Sequence, residues 1–476
     1  MQSRRVFIKT LLGAGVISAF PDILFPFHKS FSALTDGNDN TYYHQLKLVH
    51  AIIQKNSELD ELDLKGQTLT EMSKLYLKSG YRQDALKTLS DAGVIAEKLN
   101  FRGNDLYLTD SIDSGIFLTK ASDIYEESAK TCFEIGDNKQ ALKLISKALK
   151  ILQGLSKETD NSIYTLGIIN IADMLHENGE KEMALNLLNS SLINMTDGYL
   201  FPKSNYSLKR LAESYCNIGL QNKAEEIADK IAPSYFTYGE ISGISSLRPD
   251  ALSYIAKSYA GIGLRDKAYQ LLKDIHLQWP KENNKDIAIA YAELDEWEKA
   301  FDEIKAANKI SEELKEINCP YIEIANIAIQ KNRRDVALKA LKELTKIMEE
   351  HDWGDVKTEL LIEMADIYLS IGEDFQSVKT LKHALGYIER RRTEAYFYLS
   401  VYVENLSKSA NVLIKMDNLA EAKKLLHKAF NDIVIEDDAY EKIESLMIVL
   451  NAYIGNEIAM EHKEKEYLKN ISSAMV

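Results

Sequence analysis

Apolar residues along this chain return with the spacing of one helix face, break at a turn residue, and return again. In Ile255-Ala256-x-x-Tyr259-x-x-x-Gly263-x-x-x-x-Ala268, the first three named residues fall at i, i+1 and i+4, on one side of a helix. Gly263 follows where a helix end takes a left-handed residue, a conformation that glycine adopts without a Cβ penalty. Ala268 opens a second apolar stripe that continues through Leu271 and Leu272. The pattern predicts a helix, a tight turn and a second helix. The small Ala256 and Ala268 let the two helices approach closely, and Tyr259 is placed to fill the wider gap between hairpins.

The string recurs. Leu211-Ala212, Tyr215, Gly219 and Ala224 repeat it, as do Met364-Ala365, Tyr368 and Gly372, with Ser377 in the last position. Weaker copies run through Ala129, Gly136 and Ala141, through Ile171-Ala172, Gly179 and Ala184, and through Ala410, Asp417 and Ala422. With the turn residue as marker, copies fall at Gly80, Gly136, Gly179, Gly219, Gly263, Asp295, Asn332, Gly372 and Asp417. Asn and Asp tolerate positive φ best after glycine. Intervals run from 32 residues (Gly263 to Asp295) to 56 (Gly80 to Gly136). A unit recurring at such a period predicts a solenoid in which each hairpin stacks on its neighbours.

As a set, these residues resemble the tetratricopeptide repeat, with its small residue, aromatic, Gly and Ala at these relative positions. The large apolar position that follows is met by Leu89, Ile145, Leu188, Leu272, Ile304, Leu341, Leu381 and Leu426, and the later Ala by Ala92, Ala148, Ala307, Ala384 and Ala429. Most units exceed the family's period of about 34 residues. The family's Trp and terminal Pro are nearly absent, Pro280 being the proline in register. The resemblance covers residues 65–435 and implies an all-α, right-handed α-solenoid of about nine to eleven tetratricopeptide-like hairpins. Its ends are expected to be open and its form elongated. The wide first interval predicts a loop around Gly103–Ser114, where Asp, Asn, Ser and Gly gather. Residues 33–64 are expected to supply a linker and a capping helix, and residues 436–476 capping helices at the other end.

Ser3-Arg4-Arg5-Val6-Phe7-Ile8-Lys9 resembles the twin-arginine export signal, Ser-Arg-Arg-x-Phe-Leu-Lys, with Ile8 as its one departure. The apolar stretch Thr10–Phe20 is about half the ~20 residues that span a bilayer, so it reads as a signal peptide's apolar region. Residues 1–32 form the expected signal, with Ser30-Phe31-Ser32 as the cleavage candidate and retention as a membrane anchor as the alternative. The implied location is the periplasm or cell envelope of a bacterium.

Seven prolines leave long helices unbroken, and a hydrophobic fraction of 45% suits a folded chain. The net charge is −14; Arg4, Arg5, Lys9 and Lys29 against Asp22 give residues 1–32 a net +3, which leaves −17 for the rest. A chain this acidic has no general attraction for nucleic acid or anionic lipid. The local exception, Arg390-Arg391-Arg392 before Tyr396, Phe397, Tyr398 and Tyr402, is expected to be a helix junction whose aromatics pack between repeats. Cys132, Cys216 and Cys319 lie two or more units apart. Packed helices stand ~8–10 Å apart, beyond the ~4.4–6.8 Å Cα window of a disulfide, so free thiols are expected. Cys132 occupies the Tyr position and belongs in the core.

The sequence holds no His-Glu-x-x-His, no Cys-x-x-Cys and no phosphate-cradling glycine loop. No catalytic residue, cofactor or metal site is therefore predicted. His176 beside Glu177 reads as a solvated pair, and Trp297 as a packing residue.

In the family the first helix of each hairpin lines the concave face, and its exposed positions carry over here as Glu127, Lys130, Glu134, Asn170, Asp173, Glu177, Arg210, Glu213 and Asn217. Five acids against two bases make that stretch acidic. Later copies supply Tyr254, Lys257, Asp286, Glu323, Asn326, Gln330, Glu363, Asp366, Lys408 and Asn411. Such a groove suits an extended peptide or a helix. The expected function is a non-enzymatic, exported interaction scaffold with a protein or peptide partner. The alternatives are an α/α-toroid enzyme acting on envelope polysaccharide and a module binding a small ligand or signal peptide.

Overall fold

The computed structural model describes residues 42–55, 62–107, 113–155, 161–196, 201–230, 247–279, 285–314, 320–350, 355–392, 398–436 and 438–475. The larger of two compact units begins at Tyr42. The Ser3–Lys9 motif, Pro280, Cys319, Tyr396 and Phe397 lie outside the described residues.

Among the described residues all regular structure is helical. Helix α1 (Tyr43–Lys55) precedes ten hairpins. These pair α2 (Leu62–Lys78) with α3 (Arg82–Tyr107), α4 (Asp113–Ile135) with α5 (Asn138–Leu155), α6 (Asn161–Glu177) with α7 (Lys181–Thr196), and α8 (Phe201–Asn217) with α9 (Gln221–Ala228). Next come α10 (Leu247–Gly261) with α11 (Arg265–Gln278), α12 (Lys285–Glu293) with α13 (Trp297–Leu314), and α14 (Tyr321–Gln330) with α15 (Arg334–Glu350). The last three pair α16 (Asp355–Ser370) with α17 (Asp374–Arg391), α18 (Leu399–Lys415) with α19 (Leu419–Val434), and α20 (Ala439–Gly455) with α21 (His462–Met475).

One turn chemistry builds every hairpin. The marker residue takes positive φ, 81° at Gly263, 66° at Asp295, 56° at Asn332 and 63° at Asp417. The N–H after the marker donates back to the carbonyl at the Tyr position, as from Leu264 to Tyr259 (2.9 Å), Glu373 to Tyr368 (2.8 Å) and Asn418 to Leu413 (2.9 Å). The marker's own N–H reaches three residues back, from Gly263 to Ala260 at 3.0 Å. This is the Schellman arrangement, which satisfies carbonyls that a helix end otherwise leaves orphaned. A tenth copy closes the last hairpin, where Glu457 takes φ 54° and Ile458 donates to Tyr453 at 2.9 Å. A glutamate in the marker position hid that copy from the pattern.

Packing follows the predicted division of labour. Ala256 and Ala268 are fully buried at the close approach. Tyr259 is also buried, and its hydroxyl donates to Asn222 Oδ1 (3.0 Å) and to Glu225 on α9, the outer helix of the preceding hairpin. Tyr215 repeats the arrangement, donating to Asn189 Oδ1 on α7 at 2.7 Å. The motif tyrosine therefore ties one hairpin to the one before it. Ser377, standing where other copies have Ala, is buried and donates to the carbonyl of Ala365.

Of the stretch Gly103–Ser114, expected as a loop, residues 103–107 and 113–114 are helix, and 108–112 lie outside the described residues. Helix α3 runs through Gly103, which is buried, to Tyr107, and α4 starts at Asp113. Packing overrides a glycine cost of about 1 kcal/mol in a helix interior, and long helices account for most of the wide first interval.

The even-numbered helices α2 to α20 pack on one another in chain order, with their odd-numbered partners outside them. Free ends do not result. Helix α20 packs on α2, and α1 packs on both α2 and α21. Lys78 Nζ donates to Asn451 Oδ1 at 2.7 Å, and the Tyr42 hydroxyl donates to the carbonyls of Tyr453 (3.2 Å) and Ile458. Leu46, Val49, Ile52 and Ile53 of α1 are fully buried. The inner helices thus form an unbroken circuit, and the expectation of open ends fails. A solenoid's terminal units have apolar faces that need covering; here first and last cover each other.

Candidate functional site

The predicted groove positions all lie on inner helices: Glu127, Lys130 and Glu134 on α4, Asn170, Asp173 and Glu177 on α6, and Arg210, Glu213 and Asn217 on α8. Lys257 follows on α10, Asn326 on α14, Asp366 on α16 and Asn411 on α18. The register that places a small residue between two packed helices turns these neighbours away from the packing.

Many of them bond from one inner helix to the next. Lys74 meets Glu127 (2.9 Å), Tyr254 donates to Asn217 (2.9 Å), Lys257 meets Asp286 (2.6 Å) and Lys415 meets Asp366 (2.7 Å). Asn456, at the tenth turn, donates to Asn411 at 2.7 Å. The structure thus joins these groove positions into a belt of polar pairs.

Two positions depart from expectation. Glu213, read as an exposed groove residue, is buried, with Lys209 (2.6 Å) and Arg210 (2.7 Å) closing over its two oxygens. A buried carboxylate needs that pairing. His176, expected to be solvated, is half-buried, and among the described residues its Nδ1 has no partner. Asp173 accepts from Ser214 at 2.9 Å, with Arg210 at 3.8 Å; burial nevertheless pushes its carboxyl up to about 6.

The carboxylates with least compensation lie elsewhere on the belt. Glu323 on α14 and Glu363 on α16 occupy the same repeat position on adjacent inner helices, and neither forms an ion pair among the described residues. Burial raises Glu323 despite Lys285 and Lys257 nearby. Glu363 is pushed up to about 7 by burial and by Glu359, Glu323 and Asp366, against the pull of Lys408. Glu363 is itself solvent-exposed, and charged groups on both neighbouring inner helices, Glu323 on α14 and Lys408 on α18, act on its carboxyl. A second acidic pair stands on α4. Burial drives Glu126 up to about 8, with Asp123 adding to it, although Ser122 donates to its carboxyl at 2.9 Å; Asp123 itself rises to about 6. Sequence reading missed Asp123 and Glu126 because they precede the positions carried over from the family.

The remaining candidates are structural. Arg392 pairs with Asp432, whose other oxygen accepts from Tyr402 at 2.9 Å, and Arg390 lies 4.1 Å from the Tyr387 ring centroid. The described part of the basic–aromatic segment is therefore a junction, as expected. Cys132 and Cys216 are buried and free, and burial pushes both thiols up to about 12. Trp297 is buried beneath Lys331 and Arg333, each 5.9 Å from its ring. Among the described residues no group of three or more His, Cys, Asp and Glu is placed to hold a metal ion, and no helix is long and apolar enough to cross a membrane.

No family model matches the chain, and no curated protein matches it. Solved structures do. A Podosopora anserina putative kinesin light chain with nearly identical TPR-like repeats is 17% identical over 45% of this chain and 95% of its own, with a TM-score of 0.28. A circular tandem repeat protein is 13% identical over 87% and 94%, with a TM-score of 0.27. Human IFIT1, a dimer with PPP-AAAA, is 15% identical over 83% and 95%, also with a TM-score of 0.27. The chain's own repeated hairpins, with their shared turn and register, define it as a tetratricopeptide-like helical solenoid.

Proposed function

We propose that this chain is a non-enzymatic interaction scaffold that takes a basic segment of a partner protein against its inner face. The observation that carries this reading is the pair Glu323 and Glu363, whose carboxyls are raised and have no ion-pair partner among the described residues. Crowded carboxylates lose stability to mutual repulsion, and a cationic side chain arriving between them relieves it. At many other inner-face positions the belt supplies its own counter-charges, as at Lys74–Glu127, Lys257–Asp286 and Lys415–Asp366, so the arc from α14 to α16 stands to gain from a cationic ligand. Lysine or arginine on an extended or helical segment is the matching chemistry. The signal-like Ser3–Lys9 motif supports a proposed setting in the periplasm or cell envelope of a bacterium.

Affinity capture from a periplasmic extract tests the reading, with wild-type protein and Glu323→Gln/Glu363→Gln protein as baits. A basic partner held by wild type and lost by the variant supports it; equal retention by both baits contradicts it. Export is tested separately by Arg4→Lys/Arg5→Lys, which keeps the charge and should leave the protein in the cytoplasm.

The closed circuit favours a second reading, an enzyme acting on envelope polysaccharide. A carboxyl near 7 beside other carboxylates has the protonation a general acid requires. Hydrolysis of such a polymer by wild type, abolished in Glu363→Gln, would establish it.

A further inference from the structure

Every internal joint of the circuit is bridged by the chain itself, because each hairpin runs into the next. The joint between α2 and α20 is not: Lys78 and Asn451 meet across 373 positions of sequence. Breaking the internal joints strains a covalent connection, whereas the α2–α20 joint parts with no such restraint. Helix α1 decides on which side it parts. A short connection links α1 to α2, and Lys47 pairs with Asp84, Gln54 donates to Asp91 (3.0 Å), His50 lies 3.4 Å from the Tyr76 hydroxyl, and Lys65 donates to the Gln54 carbonyl (2.9 Å). These tie α1 to the first hairpin. Towards the last hairpin, α1 packs on α21, and Tyr42, just ahead of α1, donates through its hydroxyl to the turn carbonyls of Tyr453 and Ile458.

We propose that the circuit opens at this seam, α1 moving with the first hairpin away from α20 and α21, and that a partner segment reaches the inner face through the gap. The proposal rests on the inner face being the binding surface. A closed circuit admits a chain end by threading, but it excludes a segment flanked on both sides by folded domains. Opening at the seam removes that restriction, and reclosure through the Lys78–Asn451 and Tyr42 bonds then encloses the segment. The motion costs no secondary structure, since the bonds that break, Lys78–Asn451 and those of Tyr42, lie between elements and not within a helix.

Two measurements test this on the full chain. Lys78→Cys/Asn451→Cys protein carrying Cys319→Ser takes a fluorophore pair across the seam; Cys132 and Cys216 are buried and stay unlabelled. A control pair at Asp366→Cys/Lys415→Cys spans the internal α16–α18 joint. The seam pair should show a second, longer distance that the control lacks. A single short distance in both pairs overturns the proposal, whatever the inner face binds. In the second measurement a short bismaleimide tether joins positions 78 and 451, and the probe is a lysine-rich peptide, either with free ends or with a folded domain fused at each end. Tethering should abolish association of the end-blocked probe and spare the free one. Unimpaired association of the end-blocked probe with tethered protein overturns the proposal. Failure of the free peptide to bind untethered protein refutes the inner-face reading instead, and the distance measurement still decides the seam.

Discussion

Lys78 Nζ donates to Asn451 Oδ1 at 2.7 Å, joining the first inner helix to the last. The bond is modest in itself and, with an exposed lysine as donor, contributes on the order of 1 kcal/mol. Its importance is topological, because it marks where a repeat array that needed two caps has used one end to cap the other. Lys78→Met should therefore leave the helical circular-dichroism signal intact while raising amide hydrogen exchange in α1 and α20. Unchanged exchange there would show that the apolar contacts of α1 hold the seam alone.

Glu213 and Glu177 are both predicted groove acids, yet they should respond differently to charge reversal. Glu213→Lys sets three cations together in a buried site and should cost on the order of 3 kcal/mol or more. Glu177 is exposed, and Glu177→Lys should cost no more than about 1 kcal/mol. Thermal melts of the two single variants check this; equal midpoints would contradict the buried placement of Glu213.

Much of this fold could be read from apolar spacing, for a physical reason. The hairpin depends on local chemistry: a small residue, an aromatic four positions before a left-handed residue, and an alanine after it. Gly263 and Asp417 announce their turns through side chains that suit positive φ, whereas Glu457 adopts it at a cost and gives no such signal. Gly103 misled in the opposite sense, a loop-former held in a helix by burial. The inner-face positions followed from register, but their charge balance did not. Whether Glu213 is covered and Glu363 is not depends on which cations the neighbouring helices supply, and closure through Lys78 and Asn451 is set by the accumulated geometry of ten hairpins.

The turn chemistry gives a paired expectation. Gly263→Ala places a Cβ at φ 81° and should destabilise by about 1–2 kcal/mol. Glu457→Gly removes the same penalty at the tenth turn and should stabilise by up to about 1 kcal/mol. Denaturant midpoints of both variants test the pair, and shifts of the same sign would contradict it.

The raised carboxyls set a pH dependence. A carboxyl whose pKa is higher folded than unfolded holds its proton more tightly in the folded state, so its contribution is greatest at low pH and is lost as pH rises through the folded value. Glu126, raised to about 8, and Glu363, raised to about 7, both have an ordinary value of 4.5. From these groups stability should decline between about pH 4.5 and about pH 8. Glu126→Gln/Glu363→Gln should flatten that decline in melts across the range, and an unchanged slope would show that the carboxyls are not raised.

The most direct test of inner-face recognition is calorimetric titration of a lysine-rich peptide into wild-type protein and into Glu323→Gln/Glu363→Gln protein, at low and at raised salt. Wild type should bind, and binding should weaken as salt screens the carboxylates. The variant should keep its fold and lose the interaction. Equal affinity in the two proteins, or a wild-type affinity indifferent to salt, would contradict recognition by the inner face.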